Sequence, residues 1–526
     1  MSRGPSTLDR IFEERTSQLA DKAALVFRGT PTSFSALYAR AAEVAAALAR
    51  DGLGPGTRLA TLDKNHAAHF ELLFGAAKSG AVLVPISFRL SALEIEYILN
   101  DARPAILFVG PELEALVEGI RPRLKHPLRL IVLNQEGSDG YSGWRRTGGA
   151  EPAAAGHASA PHGTGDADSP LLQMYTSGTT GHPKGVLLSH RNLLGLLERS
   201  SQHMGTWHSD DVSLQAMPLF HIGGTAWGLI SLYCGATVHL LRDADPGVIL
   251  KEIETQRVTK VFLVPALILF LLQHPRFAHT DLSTLRHILY GASPITESLL
   301  SETLQRFPCE LGQVYGLTET CGTIAYLDGA AHKSGSSQRI RSCGRPLPGI
   351  DIRVVDATGQ PLPAGAIGEV VCRSEQNMQG YYNYPQLTAD VIKGDWLYTG
   401  DAGYFDEDGY LYIHDRVKDL IISGGENIYP AEVESALTAH PAVADAAVIG
   451  IPDDRWGESV LAFVVCKPGN TVTEPELLSA ARTRLAGYKV PRAIQLVSSL
   501  PRNASGKLLK RELRRPYWEG QARQVH

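Results

Sequence analysis

The stretch Tyr175-Thr176-Ser177-Gly178-Thr179-Thr180-Gly181-His182-Pro183-Lys184-Gly185-Val186 is the most distinctive part of the 526-residue chain. It combines three glycines, four small hydroxyl side chains and one lysine. Glycine lets backbone N–H groups approach an anion, hydroxyls donate hydrogen bonds to its oxygens, and lysine adds positive charge. Residues 171–174, three of which are apolar, predict a buried strand before it, and residues 187–193 predict the approach to a helix after it. The stretch therefore predicts a loop that wraps the polyphosphate of a nucleotide.

Two alternatives compete with a nucleotide loop of this kind. A Walker P-loop places its lysine directly after its second glycine and a hydroxyl residue directly after the lysine. Here Lys184 follows His182 and Pro183 and precedes Gly185, so the Walker spacing is not met. A flexible surface loop is the default for such a composition in isolation. We favour the nucleotide loop because later motifs in the chain also carry side chains suited to binding a nucleotide.

Length and composition indicate a folded protein of at least two domains. The chain of 526 residues exceeds the roughly 250–300 residues at which single cores stop growing. Apolar residues make up 44% of the chain. A net charge of −5 with both signs interspersed argues against a dedicated nucleic-acid binder.

Several features of the sequence predict a soluble, cytoplasmic protein. The six cysteines form no C-x-x-C pair and have no histidine at metal-ligand spacing, which fits reduced thiols. The first ten residues lack the basic and then apolar pattern of a signal peptide. The longest apolar run, residues 261–272, is interrupted by Pro265 and is too short to span a bilayer.

Apolar runs that alternate with helical segments predict an α/β fold with two doubly wound layers. Residues 81–86 and 105–109 are continuous apolar runs separated by a helical pattern over residues 92–99. Residues 261–264 and 288–290 repeat this alternation after the phosphate loop. Such runs are typical of parallel strands that helices cover on both faces.

The pattern changes near Leu347. Short β-rich segments with turn signals, such as residues 350–355 and 368–372, predict a small antiparallel barrel or sheet. Beyond Asp415 the chain becomes an α+β unit of about 110 residues, which is large enough to be a separate domain.

Three further motifs carry side chains suited to nucleotide chemistry. Tyr315-Gly316-Leu317-Thr318-Glu319-Thr320 offers an aromatic face, hydroxyls and a carboxylate, which suit a base, a phosphate and Mg²⁺. Tyr398-Thr399-Gly400-Asp401 leads into a predicted hairpin, and Pro501-Arg502-Asn503-Ala504-Ser505-Gly506-Lys507 places a lysine after a glycine-containing turn. Each motif alone is weak evidence. The lysine of the third motif, for example, would by itself be read as a solvated surface residue, as most lysines are.

Taken in this order, the motifs resemble those of the adenylate-forming superfamily, which contains acyl- and aryl-CoA synthetases, peptide-synthetase adenylation domains and luciferases. The resemblance runs from about Leu8 to Leu513 and rests on five separated motifs. It implies a large N-terminal domain, residues 1–415, with two doubly wound subdomains and a small β-barrel. It also implies a small, mobile α+β C-terminal domain, residues 416–526.

The resemblance implies a role for each motif residue. The phosphates of ATP would be held by Thr176, Ser177, Gly178, Thr179, Thr180, Gly181 and Lys184. The adenosine would be held by Gly291, Ala292, Tyr315, Gly316, Asp401 and Arg416, with Asp401 and Arg416 at the ribose. The catalytic residues would be Thr318 at the α-phosphate, Glu319 at Mg²⁺, His221 over the acyl group, and Lys507 between the substrate carboxylate and the α-phosphate.

Residues 415–419 resemble the hinge between the two domains of that family. Lys418 stands at the pivot position, which is aspartate in some relatives. Asp415 replaces the more usual glycine, a departure that leaves the role of Arg416 intact. Gly425 would face the tunnel of the pantetheine thiol and let the backbone approach it.

The expected walls of the acyl pocket are largely apolar. They are Trp227, residues 262–272, Gly291 and residues 316–324. Such walls favour a fatty, alicyclic or aromatic carboxylic acid over a dicarboxylate.

The leading hypothesis is an ATP-dependent carboxylate–CoA ligase that forms an acyl-adenylate and then acyl-CoA, AMP and pyrophosphate. The alternative is an enzyme that loads the acyl group onto the phosphopantetheine of a carrier protein. A nucleotide sensor without turnover is a third hypothesis, against which the reactive residues Lys184, Glu319 and Lys507 argue.

ATP, Mg²⁺, CoA and a small carboxylic acid are the expected ligands. The basic tail, residues 507–515, leaves peripheral membrane contact open, and the oligomeric state is also open.

Overall fold

The computed structural model shows an α/β protein. It describes residues 7–134, 140–146, 166–176, 183–293, 295, 297–333, 339–416, 419, 421–423, 426–453, 456–485, 487–502 and 508–519.

The described elements follow one another in chain order. Up to residue 146 they are β1 (Ala23–Phe27), β2 (Thr30–Ser33), β3 (Arg58–Leu62), β4 (Val82–Ile86), β5 (Ile106–Val109) and β6 (Arg129–Val132), with α1 (Leu8–Leu19), α2 (Phe34–Arg50), α3 (Ala68–Ser79), α4 (Ala92–Ala102), α5 (Glu114–Ile120) and α6 (Tyr141–Arg146). From residue 166 to 333 they are β7 (Pro170–Thr176), β8 (Lys184–Ser189), β9 (Val212–Gln215), β10 (Thr237–Leu240), β11 (Lys260–Leu263), β12 (His287–Gly291), β13 (Glu310–Leu317) and β14 (Gly322–Leu327), with α7 (His190–His203), α8 (Ile222–Tyr233), α9 (Pro246–Thr255), α10 (Pro265–Gln273), α11 (Glu297–Arg306) and α12 (Gly329–Lys333).

The remaining elements are shorter on average. From residue 339 to 416 they are β15 (Arg345–Pro346), β16 (Asp351–Val355), β17 (Gly368–Arg373), β18 (Gly380–Tyr381), β19 (Ile392–Lys393), β20 (Trp396–Phe405) and β21 (Leu411–Arg416), with α13 (Pro385–Val391). Beyond that they are β22 (Ile421–Ser423), β23 (Glu426–Ile428), β24 (Val443–Asp453), β25 (Gly457–Cys466) and β26 (Ala493–Leu496), with α14 (Pro430–Thr438), α15 (Glu474–Arg482) and α16 (Lys510–Trp518).

Within the described residues, the sheet that carries the phosphate loop has seven strands in the order β18-β8-β7-β4-β3-β5-β6. Strands β7, β4, β3, β5 and β6 run parallel, as the continuous apolar runs predict. Strands β7 and β8 form an antiparallel hairpin in which Thr176 lies opposite Lys184. The expected approach to a helix is correct only from His190, because residues 187–189 still pair with β7. The predicted phosphate loop thus connects two paired strands, whereas a Walker motif connects a strand to a helix.

A second sheet has nine strands in the described part of the chain, in the order β15-β14-β13-β12-β11-β9-β10-β1-β2. The strands from β13 to β1 run parallel, and antiparallel strands extend both edges. Leu25 of β1 lies opposite Val238 of β10, so the first hairpin of the chain completes this second sheet. The fold class predicted from the sequence is confirmed.

The two large sheets share one hydrophobic core. It contains Leu25 and Val238 of the nine-stranded sheet together with Leu59 and Leu83 of the seven-stranded sheet. Helices α3 and α8 contribute to the same core, and α3 is buried from residue 68 to residue 78. Most of its residues are apolar, and a helix that is apolar beyond one face is typical of such an enclosed position.

Two smaller units complete the described chain. Strands β16, β17, β20, β19 and β21 form the antiparallel sheet that the sequence predicts. Strands β22 to β26, with α14 and α15, form an α+β unit with its own core around Ile421, Val448 and Leu477. None of the helices in the described ranges is both long and apolar enough to cross a membrane.

Candidate active site

The β7–β8 hairpin presents the first predicted phosphate ligands. Thr176 ends β7 and Lys184 begins β8, where its side chain is buried. The predicted ligands Ser177, Gly178, Thr179, Thr180 and Gly181 lie outside the described residues. Because Thr176 and Lys184 pair across the hairpin, they bring the two ends of the motif together.

A line of polar side chains braces the base of this hairpin. Arg58 Nε donates to Gln173 Oε1 at 2.6 Å, and Gln173 Nε2 donates to the hydroxyl of Tyr175 at 2.9 Å. That hydroxyl donates to Asp101 Oδ2 at 2.6 Å, and burial together with this carboxylate raises the pKa of Tyr175. The base of the phosphate loop is therefore fixed by packed hydrogen bonds.

The predicted adenine site lies at the carboxyl ends of two adjacent parallel strands, β12 and β13. Gly291 pairs with Val314, and a Cβ at position 291 would come within 2.4 Å of the Val314 carbonyl oxygen. A Cβ at Gly316 would come within 1.8 Å of the Gly322 carbonyl oxygen. Ala292 adopts the left-handed region with φ of 64°. Both glycines are required by close backbone contact, at the sheet edge where α/β proteins bind ligands.

Tyr315 and Asp401 meet directly. The Tyr315 hydroxyl donates to Asp401 Oδ2 at 2.7 Å, and the Asp401 side chain is buried. Burial and then the negative charge of Asp401 hold the pKa of Tyr315 well above its usual range, so the hydroxyl remains a donor. Asp401 lies opposite Arg416 in the β20–β21 pair, whereas the side chain of Arg416 lies outside the described residues. The predicted ribose carboxylate thus stands beside the predicted adenine ring partner.

A tight turn presents Thr318 and Glu319 at the end of β13. Thr320 is fully buried, and its hydroxyl accepts from the Leu317 N–H at 2.9 Å and donates to the Gly322 carbonyl at 2.7 Å. The turn is therefore closed by a side chain in addition to the backbone, which fixes the two residues that the sequence predicts to contact phosphate and Mg²⁺.

A segment that we call the strap, residues 375–382, joins this turn to the phosphate hairpin. The Met378 N–H donates to the Glu319 carbonyl at 2.8 Å, and the Tyr382 N–H donates to the Gly185 carbonyl at 2.7 Å. Strand β18, within the strap, pairs with β8 and places Tyr381 opposite Val186. The strap is thus bonded to both halves of the predicted phosphate site.

Tyr381 contacts two of the predicted site residues through its side chain. Its hydroxyl donates to Glu319 Oε1 at 3.0 Å. The Nζ of Lys184 lies 4.9 Å from the centre of its ring. Lys184, Tyr381 and Glu319 therefore form one group.

The donor set around Glu319 fits an ion that ATP itself helps to hold. Among the residues that the structure describes, no cluster of three or more His, Cys, Asp or Glu side chains could hold a metal. Mg²⁺ is typically bound through one or two carboxylates together with substrate phosphates. A single carboxylate beside the phosphate hairpin meets that requirement.

His221 caps the amino end of α8 and lies against Phe220, with ring centroids 4.6 Å apart. Burial, and then the nearby positive charge of Arg89, lower the pKa of His221 to about 4. Its Nε2 atom is buried and has no hydrogen-bond partner within the described ranges. His221 is therefore neutral at neutral pH, with a ring nitrogen that a ligand can use.

An apolar cluster lies next to this segment and includes Val314, which pairs with Gly291 of the predicted adenine site. Trp227 and Phe262 have ring centroids 6.3 Å apart, and Trp227 Nε1 is satisfied by the Leu214 carbonyl at 3.1 Å. The cluster also contains Met217, Leu289, Val314 and Ile324. Gly223 allows α8 to approach Phe262, because a Cβ there would lie 3.0 Å from Phe262 Cε1.

The rest of the expected apolar block does not belong to this cluster. Leu267, Ile268, Leu271 and Leu272 of α10 lie in a separate core with α9 and α11. Among residues 262–272, only Phe262 belongs to the buried part of this cluster, and Val264 packs against both cores.

Other predicted site residues lie outside the described residues. They are Lys507, Gly425 and the hinge residue Lys418.

Sequence analysis missed the role of two residues in this site. Thr320 is the last residue of the motif at residues 315–320, but only the structure shows that its hydroxyl closes the turn. Tyr381 stands in Gly380-Tyr381-Tyr382-Asn383, which has the composition of an ordinary aromatic turn. Its partners Lys184 and Glu319 are distant in sequence, so the residues around Tyr381 contain no pattern that predicts these contacts.

Comparison with known proteins finds similarity along nearly the whole chain. The family described as AMP-binding enzyme matches residues 12–382, and the family described as AMP-binding enzyme C-terminal domain matches residues 432–507. A fatty acid–[acyl-carrier-protein] ligase from Streptomyces coeruleorubidus is 40% identical over 509 residues, which cover 96% of this chain and 95% of that protein. A feruloyl-CoA synthase from an Amycolatopsis species is 39% identical over 504 residues, which cover 93% of this chain and 94% of that protein.

The fold is also found in solved structures. ATP-bound MatB from Rhodopseudomonas palustris matches with a TM-score of 0.86 at 30% identity. The match covers 97% of this chain and 99% of that chain.

Proposed function

The chain belongs to the family of AMP-binding enzymes, and from this premise we propose that it is an ATP-dependent carboxylate–CoA ligase. It activates an apolar carboxylic acid as an acyl-adenylate and transfers the acyl group to CoA, with AMP and pyrophosphate as the other products. The observation that carries the proposal is the line of contacts from Lys184 through Tyr381 to Glu319, next to the Tyr315–Asp401 pair. The first group would form the phosphate site and the second the nucleoside site, and Glu319 follows Tyr315 by only four residues in the chain.

In the first half-reaction, a carboxylate oxygen of the acid attacks the α-phosphorus of ATP and pyrophosphate leaves. Both reactants are anions, so positive charge must offset their repulsion as charge spreads over the phosphoryl oxygens. We assign Lys184 to the leaving phosphates, Thr318 to the α-phosphate, and Lys507 to the position between carboxylate and α-phosphate. Glu319 would hold Mg²⁺, which would supply further positive charge at the phosphate oxygens.

The nucleoside is oriented by residues at the ends of β12, β13 and β20. The Tyr315 ring stacks on adenine, and Gly291 and Ala292 line the other wall. Asp401, which lies beside Tyr315, accepts hydrogen bonds from the ribose hydroxyls. This fixed orientation turns the α-phosphate toward the acid.

In the second half-reaction, the CoA thiol attacks the acyl carbonyl carbon, the bond to the phosphate oxygen breaks, and AMP leaves. The acyl-adenylate is hydrolysed if water enters, so the acyl group must be enclosed. We assign this protection to His221 and to the apolar cluster with Trp227 and Phe262. We further propose that residues 416–526 move about Lys418 between the half-reactions and bring Gly425 to the thiol.

The apolar cluster supports a fatty, alicyclic or aromatic acid. Its side chains can enclose a hydrocarbon chain or an aromatic ring, whereas a second carboxylate would need a positive partner. The similarity to a feruloyl-CoA synthase and to a fatty acid ligase agrees with this range of acids.

A second candidate function is the transfer of the acyl group to a carrier protein. It is favoured by the 40% identity to a fatty acid–[acyl-carrier-protein] ligase. CoA and carrier proteins deliver the same phosphopantetheine thiol, so both acceptors would use the same adenylation site.

A panel of carboxylic acids tests the proposal and separates these two acceptors. The panel should contain fatty, alicyclic, aromatic and dicarboxylic acids, with AMP release measured for each acid with CoA, with holo-carrier protein and with neither. We expect AMP release from at least one apolar acid, accelerated by CoA and accompanied by its thioester. Acceleration by the carrier protein alone would favour the second candidate, and AMP release from no acid would contradict both.

A further inference from the structure

We propose that Tyr381 is a positioning residue that holds Glu319 for Mg²⁺ and Lys184 for the phosphates of ATP. The inference rests on the proposed function and adds to it a residue of the strap that contacts both charged groups at once.

The proposal is supported by two contacts of the Tyr381 side chain, one through its ring and one through its hydroxyl. The face of the ring contacts the Lys184 ammonium at 4.9 Å from the ring centre, and the hydroxyl donates to Glu319 Oε1 at 3.0 Å. Lys184 and Glu319 are both among the described residues, and they form no ion pair with each other there. Tyr381 therefore supplies each charge with a partner that does not neutralise it.

This arrangement keeps both charges available for ATP. A direct ion pair between Lys184 and Glu319 would cancel the positive charge meant for the phosphates and the negative charge meant for Mg²⁺. A cation over an aromatic face keeps its full charge, and a carboxylate that accepts one hydrogen bond keeps its other oxygen for a metal. Hydrogen bonds from outer partners orient metal-binding carboxylates.

The backbone around Tyr381 is fixed well enough for such a role. Tyr381 lies opposite Val186 in the β18–β8 pair, and its N–H donates to Thr388 Oγ1 at 2.9 Å. The strap is bonded to the Glu319 turn through Met378 and to the hairpin through Tyr382. The backbone that carries the Tyr381 side chain is thus held by hydrogen bonds on both sides.

Substitution with Tyr381→Phe tests the hydroxyl while it keeps the ring under Lys184. We expect the affinity for ATP in the presence of Mg²⁺, measured by equilibrium binding, to fall about 10-fold. The affinity for ATP with EDTA and the affinity for AMP should change less than about 2-fold, because neither uses the Mg²⁺ site. Adenylation should slow, whereas thioester formation from supplied acyl-adenylate and CoA should keep its rate.

Two further variants sharpen the test. Tyr381→Leu also removes the ring, so it should weaken ATP binding even with EDTA. Tyr382→Phe is the matched control, because that neighbouring ring stacks on Arg58 at 3.8 Å, and it should leave every measurement unchanged.

Two outcomes would overturn the role of Tyr381. One is unchanged binding of ATP with Mg²⁺ in Tyr381→Phe, and the other is an equal loss of AMP binding and of both half-reactions, which would show a general structural effect. Failure of the unsubstituted protein to bind ATP or to form thioester would instead contradict the proposed function.

Discussion

Replacement of Lys507 by alanine is expected to slow acyl-adenylate formation about 100- to 1000-fold, measured as acid-dependent exchange of pyrophosphate into ATP. Removal of one group that stabilises developing charge in a transition state typically has this effect. The loss should appear in kcat, because Lys507 acts between the carboxylate and the α-phosphate at the moment of attack. Thioester formation from supplied acyl-adenylate should continue, since the charge repulsion that Lys507 offsets no longer exists in that step.

Arg511→Ala provides the matched control for Lys507→Ala. Arg511 carries a positive charge in the same part of the chain, and its side chain is 62% exposed. Its removal should leave the exchange rate within about 2-fold of the unsubstituted protein, because an exposed ion pair contributes little. Undiminished exchange in Lys507→Ala would contradict the catalytic role of this lysine.

Replacement of Asp401 by alanine is expected to lower kcat/KM for ATP by at least about 100-fold. Hydrogen bonds to a charged group contribute about 1.5–3 kcal/mol each, and Asp401 is assigned two ribose hydroxyls. The unsubstituted protein should prefer ATP strongly over 2′-deoxy-ATP. Asp401→Ala should use both nucleotides almost equally, because the group that distinguishes them is gone.

Tyr315→Phe is the control for the Asp401 substitution. It removes the 2.7 Å hydrogen bond to Asp401 but leaves both the carboxylate and the aromatic face. We expect a loss below about 10-fold and an unchanged preference for ATP over 2′-deoxy-ATP. Full preference for ATP in Asp401→Ala would show that the ribose is held elsewhere.

Much of the fold could be predicted from local patterns. The apolar runs 81–86 and 105–109, which Gly80 precedes and Gly110 follows, contain strands β4 and β5, and the helical pattern over residues 92–99 lies within α4. Such boundaries follow from apolar periodicity and from glycine, which act over a few residues. The predicted family is confirmed by the two family matches. It could be predicted because its motifs are short segments that can be read from the sequence alone.

Long-range pairing could not be predicted in this way. The first hairpin joins the nine-stranded sheet through β10, about 200 residues later in the chain. Nothing in an apolar run says which other strand it will pair with, since that choice depends on the packing of the whole domain. The continuation of β8 to Ser189 has the same cause, because its pairing with β7 outweighs the local signal for a helix.

In the candidate site, too, residues within local motifs could be predicted, whereas contacts between distant parts of the chain could not. The sequence predicted Lys184, Glu319, Tyr315 and Asp401, since each belongs to a motif with its own chemistry. It did not predict the contacts of Tyr381, a side chain that touches both Lys184 and Glu319. It also assigned residues 262–272 to the acyl pocket as one block, whereas α10 turns most of its apolar face toward α9 and α11.

The most direct test of an acyl-adenylate mechanism is the fate of carboxylate oxygen. An acid that the panel identifies as a substrate should be labelled with ¹⁸O in both carboxylate oxygens and converted with ATP and CoA. The carboxylate oxygen that attacks the α-phosphorus stays on that phosphorus when the thiol displaces AMP, so we predict one ¹⁸O atom in each AMP and none in pyrophosphate. Unlabelled AMP, or ADP with ¹⁸O in inorganic phosphate, would contradict the mechanism.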